Sequence, residues 1–180
     1  MLKRIMHRAV SKLEQSYGYD AGYLHEVIEA SRPAFFKFGL FQTMSSHRED
    51  VPRDAWYAAK IAATLSEDCG PCTQLVVDMA LRDGVKRDAL MALLRGDLEM
   101  AGKDAELGFR FGIAVAQNTD AAPILSEEVE KRFGKRALVS LAFSVAASRV
   151  YPTVKRGLGH GAACTKIKVS DETIVLKQAA

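Results

Sequence analysis

Ser66-Glu67-Asp68-Cys69-Gly70-Pro71-Cys72-Thr73-Gln74-Leu75-Val76-Val77-Asp78 holds two of the chain's three cysteines, spaced Cys-x-x-Cys. Cys72, Leu75, Val76, Met79 and Ala80 recur at helical spacing, so the motif opens a helix with those residues turned inward. Proline has a fixed φ and no N–H to lose, which suits Pro71 to the first helical position, with Gly70 as cap and Cys69 just outside. Cys72 then falls at the second helical position, where free backbone N–H groups and the helix dipole favour negative charge. A thiol placed there ionises more readily, and the thiolate is the reactive form. The thiol of Cys69 is near enough in sequence to close a disulfide on it.

Upstream, Val51-Pro52-Arg53-Asp54 opens a helix whose inward residues are Trp56, Ile61 and Leu65, and which runs into the cysteine turn. Downstream, the cysteine helix stops at Asp83-Gly84, with glycine in the position that helix ends favour. Farther out, helices are expected at 2–15, then from an Asp20 cap through Ala30, then over 33–45 from a Ser31 cap. The third of these carries Phe35, Phe36, Phe38 and Phe41, read as a core stripe. Shorter helices follow at 86–94 and 103–117, then one starting from a Ser126 cap. Past Gly134 comes a long apolar helix, 137–151, that Pro152 bends or ends. Residues 166–176 alternate Lys with Ile or Val about a polar Ser170-Asp171-Glu172, the pattern of a small terminal hairpin. The sum is an all-α fold of about eight helices in a single domain, 1–180, with no βαβ alternation and no repeat.

With 180 residues, 48% hydrophobic and 26% charged, the composition is that of a soluble globular chain long enough to bury a substantial core. A net charge of +3 gives no argument for nucleic acid, and the basic start (Lys3, Arg4, His7, Arg8) reads as a solvated helix face. No apolar h-region follows that start, so no signal peptide is expected. The apolar run 137–150 is broken by Ser140, Ser144 and Ser148 and is short for a bilayer, so no membrane is expected either. Three cysteines do not make an extracellular disulfide framework, and a reversible pair fits a reducing cytoplasm.

Gly70-Pro71 is also the inner dipeptide of thioredoxins, but in that fold a buried strand precedes the motif, and here an amphipathic helix does. The arrangement instead resembles the alkylhydroperoxidase AhpD-like family, which includes the carboxymuconolactone decarboxylases. The residues that carry the resemblance are Ala58-Ala59-Lys60-Ile61-Ala62-Ala63-Thr64-Leu65, Cys69-Gly70-Pro71-Cys72, the helix ending at Gly84 and the short helix after it. Weaker likeness runs through Phe109-Arg110-Phe111-Gly112-Ile113-Ala114-Val115-Ala116 and the helix after Leu125, for a span of about 50–150. The resemblance implies an all-helical fold, homo-oligomers (trimers or hexamers), and reduction of small hydroperoxides at the expense of a dithiol donor, with no cofactor. It implies that Cys72 is oxidised to a sulfenic acid and that Cys69 resolves it as a disulfide.

The chain departs from that pattern where redox members carry a histidine four residues after the second cysteine; here the residue is Val76. Nor does the upstream helix supply the expected glutamate: it offers Tyr57 and Asp54. Glu67, Asp68 or His160 are the candidates to complete a proton relay. Three other readings stay open. One is a non-redox lyase or small-molecule-binding relative of the decarboxylase branch, and another is a structural protein in which the cysteines merely pack. The third takes Cys69, Cys72, His160 and Cys164 as a tetrahedral zinc set, although the two halves lie far apart in sequence and no metal is assigned. The glycines at 157–161 lack the strand and the Gly-Lys-Ser/Thr of a phosphate loop. His7, His25 and His47 read as surface histidines.

Overall fold

Eleven helices and a two-stranded hairpin make up the described residues, 2–161 and 166–175, of the computed structural model. In chain order they are α1 (Leu2–Tyr17), α2 (Gly22–Ala30), α3 (Arg32–Gly39), α4 (Phe41–Ser46), α5 (Arg53–Ser66), α6 (Gly70–Arg82), α7 (Arg87–Arg95) and α8 (Leu98–Ala101). Then come α9 (Lys103–Gln117), α10 (Ala122–Phe133), α11 (Lys135–Gly157), β1 (Lys166–Val169) and β2 (Glu172–Val175). The fold is all-α with a small C-terminal hairpin.

The helix that leads into the cysteines is the axis of the bundle. From Ala55 to Thr64 every residue of α5 is buried, as a mostly apolar helix requires, with Lys60 the one charged side chain in the stretch. Its alanines let neighbours approach closely, and α9 does so through Gly108 and Gly112. A Cβ at Gly108 would sit inside the Ala55 backbone carbonyl, and one at Gly112 would lie 2.7 Å from the Ala59 oxygen. Small residues one turn apart on α9 therefore set how near the two helices come. Around this crossing the main core gathers Ile61, Val77, Leu90, Phe111, Val129 and Leu141. A smaller apolar cluster forms apart from it from Met6, Val10, Tyr19, Ala21, Tyr23 and Ile28, with Leu75 and Val154 packed against it. The hairpin docks on α6, where the Gln74 side chain takes the place of a strand: its Nε2 donates to the Lys168 carbonyl (2.8 Å) and its Oε1 accepts from the Lys168 N–H (2.6 Å). A lone hairpin is marginal in water, and this lateral pairing gives it a partner.

Several elements differ from the sequence reading. Residues 33–45 form two helices, α3 and α4, broken at Leu40, whose carbonyl is taken by the Thr43 hydroxyl (2.6 Å). None of α3 is fully buried; Phe35 and Phe38 pack against the smaller cluster, while Phe36 is 53% exposed. The phenylalanine stripe is thus a half-covered face rather than core. Helix α10 starts four residues before Ser126, on Pro123 in its first turn, and the Ser126 hydroxyl bonds back to the Ala122 carbonyl (2.8 Å) instead of capping. Helix α11 continues past Pro152 to Gly157. One backbone bond is lost at the proline, but the turns beyond it are anchored by Lys155 and Arg156, which bond Asp20 and Glu67. At that length α11 is long and apolar enough, by length and composition alone, to cross a membrane, and 44% of its most apolar stretch is buried against the rest of the chain. His7, His25 and His47 are half-buried rather than exposed.

Candidate functional site

Three residues connect α5 to α6, and each has a distinct backbone role. Glu67 closes α5; Asp68 sits in the left-handed region at φ 49°; Cys69 is the cap of α6, its carbonyl accepting from Thr73 N (2.9 Å). The cap is therefore Cys69 rather than Gly70, and Pro71 and Cys72 each fall one position deeper in the first turn than the sequence suggests. Thr73, fully buried, ties the corner together by donating to the Cys69 carbonyl (3.1 Å) and sharing a hydrogen bond with Thr64 Oγ1 (3.0 Å).

Cys69 and Cys72 are joined by a disulfide, with Cα atoms 5.2 Å apart. The two sulfurs differ in surroundings. Cys72 is 5% exposed and lies at the positive end of α6. Cys69 is half-buried and lines a pocket of about 220 Å³ together with Glu67, Asp68 and His160. Pro152, Lys155, Arg156 and Gly161 complete the wall, so the pocket lies between the disulfide corner and the last turns of α11.

The charges around it are arranged in pairs. Glu67, 8% exposed, accepts from Arg149 Nε (2.7 Å) and from Arg156 at its other oxygen, while Arg156 Nη1 also donates to the Glu67 carbonyl (2.6 Å). Burial pushes the Glu67 carboxyl up, but the hydrogen bonds and charges of Arg149 and Arg156 outweigh it and hold the carboxyl below its usual range. It stays ionised and anchors two arginines, of which Arg156 lines the pocket. His160 Nε2 lies 2.8 Å from Glu26 Oε2 of α2. With the carboxylate as acceptor, Nε2 carries the hydrogen and Nδ1 is left as the basic nitrogen. Lys155 is 5% exposed, donates to the Asp20 carbonyl (3.3 Å) and lies over the Tyr19 ring.

The three relay candidates named from sequence, Glu67, Asp68 and His160, thus share one pocket with Cys69. Val76 packs in the main core at 9% exposure, and it puts no proton-carrying group one turn beyond Cys72. Tyr57 faces Asp83 and Arg48, Asp54 lies beside Arg53, and neither lines the pocket. Cys164 lies outside the described residues. Among the described residues no three His, Cys, Asp or Glu are grouped to hold a metal ion. Glu26, Arg149, Lys155 and Arg156 are not singled out by the sequence; the basic last turn of α11 is a local signal for Lys155 and Arg156 alone. No family model, curated protein or solved structure matches the chain.

Proposed function

We propose that this chain is an AhpD-like thiol-disulfide redox protein that reduces small hydroperoxides through Cys72 and Cys69. The observation that carries the reading is the Cys69–Cys72 disulfide at the start of α6, opening on a pocket that also holds His160. In the oxidising half, the Cys72 thiolate attacks one peroxide oxygen and the O–O bond breaks. The other oxygen leaves as an alcohol after taking a proton, and Cys72 becomes a sulfenic acid. The Cys69 thiol then attacks that sulfur, water departs and the disulfide closes. In the reducing half, a dithiol donor attacks Cys69, the sulfur that lines the pocket, and Cys72 leaves as a thiolate favoured by the helix end. The donor's second thiol attacks the mixed disulfide, Cys69 is freed and takes a proton, and the donor departs oxidised. His160 Nδ1 is the base suited to move these protons.

The reading includes a cytoplasmic homo-oligomer, a trimer or hexamer. Val139 and Phe143 on α11, with Leu40 and Phe41 beside and on the adjoining α4, are exposed apolar side chains that support an assembly face. Peptide mapping of the dithiol-reduced protein, before and after one equivalent of hydrogen peroxide, tests the chemistry. Rapid formation of the Cys69–Cys72 disulfide, with peroxide consumption abolished in Cys72→Ser, is the expected result. Thiols that stay reduced, or consumption that survives Cys72→Ser, overturn it. Val76 in the core favours one alternative: a non-redox lyase or binding protein using the Lys155–Arg156–His160 side of the pocket, whose turnover would tolerate loss of both cysteines.

A further inference from the structure

His7 of α1 and His25 of α2 meet nitrogen to nitrogen, with Nδ1 atoms 2.6 Å apart. Their ring centroids are 4.9 Å apart and the planes differ by 15°. For two imidazoles at that nitrogen contact, so long a centroid separation puts both Nδ1 atoms on the line between ring centres. The rings are therefore edge to edge and nearly coplanar rather than face to face, and the Nδ1 lone-pair directions oppose each other. The far nitrogens are both engaged: His7 Nε2 lies 2.8 Å from Glu29 Oε1, and His25 Nε2 lies 3.2 Å from Glu14 Oε2.

Proton counting follows from the partners. Glu29 also binds Lys3 Nζ (2.7 Å), and the hydrogen bonds from Lys3 and then His7 hold its carboxyl below the usual range. Glu14 accepts from Ala21 N at its other oxygen (3.1 Å). Ionised carboxylates only accept, so both Nε2 atoms carry hydrogen. If both rings were neutral, two bare lone pairs would face each other at 2.6 Å. The contact is attractive only with one hydrogen between them.

We propose that His7 and His25 hold a single shared proton, and that this proton clamps α1 to α2 and thereby fixes Glu26, and through it His160, at the disulfide pocket. Removing the proton leaves opposed lone pairs; adding a second opposes two N–H groups and two positive charges. Either change loosens the contact between α1 and α2. The other charged groups that face it sit away from the nitrogen pair. Arg82 of α6 covers the Tyr17 ring and bonds the Ser16 carbonyl, Lys155 of α11 lies by Tyr19 and Tyr23, and His160 is on Glu26. Among the described residues, Glu14 and Glu29 are the ion-pair partners of the two histidines. The effect on the pocket rests on the redox reading above, whereas the shared proton does not.

Histidine nitrogen and proton NMR of the full chain near neutral pH tests the clamp. The expected spectrum has both Nε2 atoms protonated and one far-downfield, exchange-protected proton shared by the two Nδ1 atoms, lost in His25→Gln. Two bare Nδ1 atoms, or a downfield proton that persists in His25→Gln, overturn the proposal. A second measurement addresses the pocket: the rate at which an uncharged phosphine opens the Cys69–Cys72 disulfide from pH 5 to 9, taken as the ratio of His7→Gln to wild type. The ratio is expected to vary with pH and to reach roughly tenfold where the single proton is held, the effect of losing one charge-assisted hydrogen bond. A pH-independent ratio overturns the coupling to the pocket. Because the phosphine reaction needs no peroxide, its outcome is separate from failure of the peroxidase reading.

Discussion

Arg156 holds Glu67 twice, donating from one guanidinium nitrogen to the backbone carbonyl (2.6 Å) and from another to the carboxylate. One residue of α11 thereby fixes both the end of α5 and the acid beside the cysteines. Arg149 takes the remaining carboxylate oxygen at 2.7 Å. Replacing Arg156 with Met is expected to destabilise the protein by about 1–2 kcal/mol in urea unfolding, since both arginines are half-exposed and solvent screens part of the gain. The same pair sets an acid limb. With the Glu67 carboxyl held below its usual range, its contribution is present above the unfolded-state pKa and is lost as pH falls through the folded one. Stability of Glu67→Gln should be lower at neutral pH and flatter between pH 5 and 2; an unchanged acid limb would show that Glu67 is not its source.

Lys60 titrates in the opposite sense. It is 6% exposed, donates to the Ser45 carbonyl (2.6 Å) and hydroxyl (3.0 Å), and lies 3.8 Å from the centroid of the Trp56 ring, with no carboxylate partner among the described residues. Burial pushes its ammonium down from 10.5 to about 7. Below that value both states are charged and the cost of burying the charge is borne in full. Between about 7 and 10.5 the unfolded chain holds the extra proton, so stability rises with pH and then levels. The rise is expected to be on the order of 2–3 kcal/mol, reduced by the ring and carbonyl contacts that favour the charged form. Lys60→Met should remove it; urea midpoints at pH 6 and pH 9 that shift equally in wild type and variant would contradict the account.

The α5–α9 crossing leaves no room for a methyl group at Gly108. Gly108→Ala must push α9 away from the Ala55 carbonyl, which is backbone and cannot swing aside. A loss of about 3 kcal/mol or more, or failure to fold, is expected. Gly39→Ala, in α3 with open space around its Cβ, is the control and should change stability by less than about 1 kcal/mol. Comparable thermal melts for the two variants would refute the close approach.

After reduction the two thiols should differ in reach. Cys69 lines the pocket, whereas Cys72 is 5% exposed under the first turn of α6. Brief alkylation with iodoacetamide at neutral pH, followed by peptide mapping, is expected to label Cys69 several-fold faster despite the favourable field at Cys72. Faster labelling of Cys72 would mean that thiolate character outweighs access.

The all-α class and the corner at the cysteines were legible in the sequence because their signals are local. The periodicity of residues 72–80, Pro71 in the first turn and Gly84 at the end describe α6 almost as it stands. The errors arose where distant contacts override local preference. Pro152 reads as a bend or an end of the helix, and α11 continues because Glu67 and Asp20 hold the turns beyond it. Gly108 and Gly112 look like helix-weakening residues, and their use appears only when α5 is laid against them. The pocket is half visible in the sequence: Glu67, Asp68 and Cys69 are neighbours there, and His160 is one of the few other residues that could carry a proton to them. Its support is not, since Glu26 and Lys155 reach the site from helices whose packing no spacing rule predicts.

Gln74 supplies side-chain hydrogen bonds that join the helix that begins at the disulfide to the terminal hairpin packed on it. With Thr73 bonded to α5 on one side and Gln74 to β1 on the other, α6 is held against sliding just beyond the cysteines. Breaking the sulfur–sulfur bond therefore has nowhere to send a large displacement. A change of oxidation state there is expected to stay local, so scattering from the reduced and the oxidised protein should report one and the same outline.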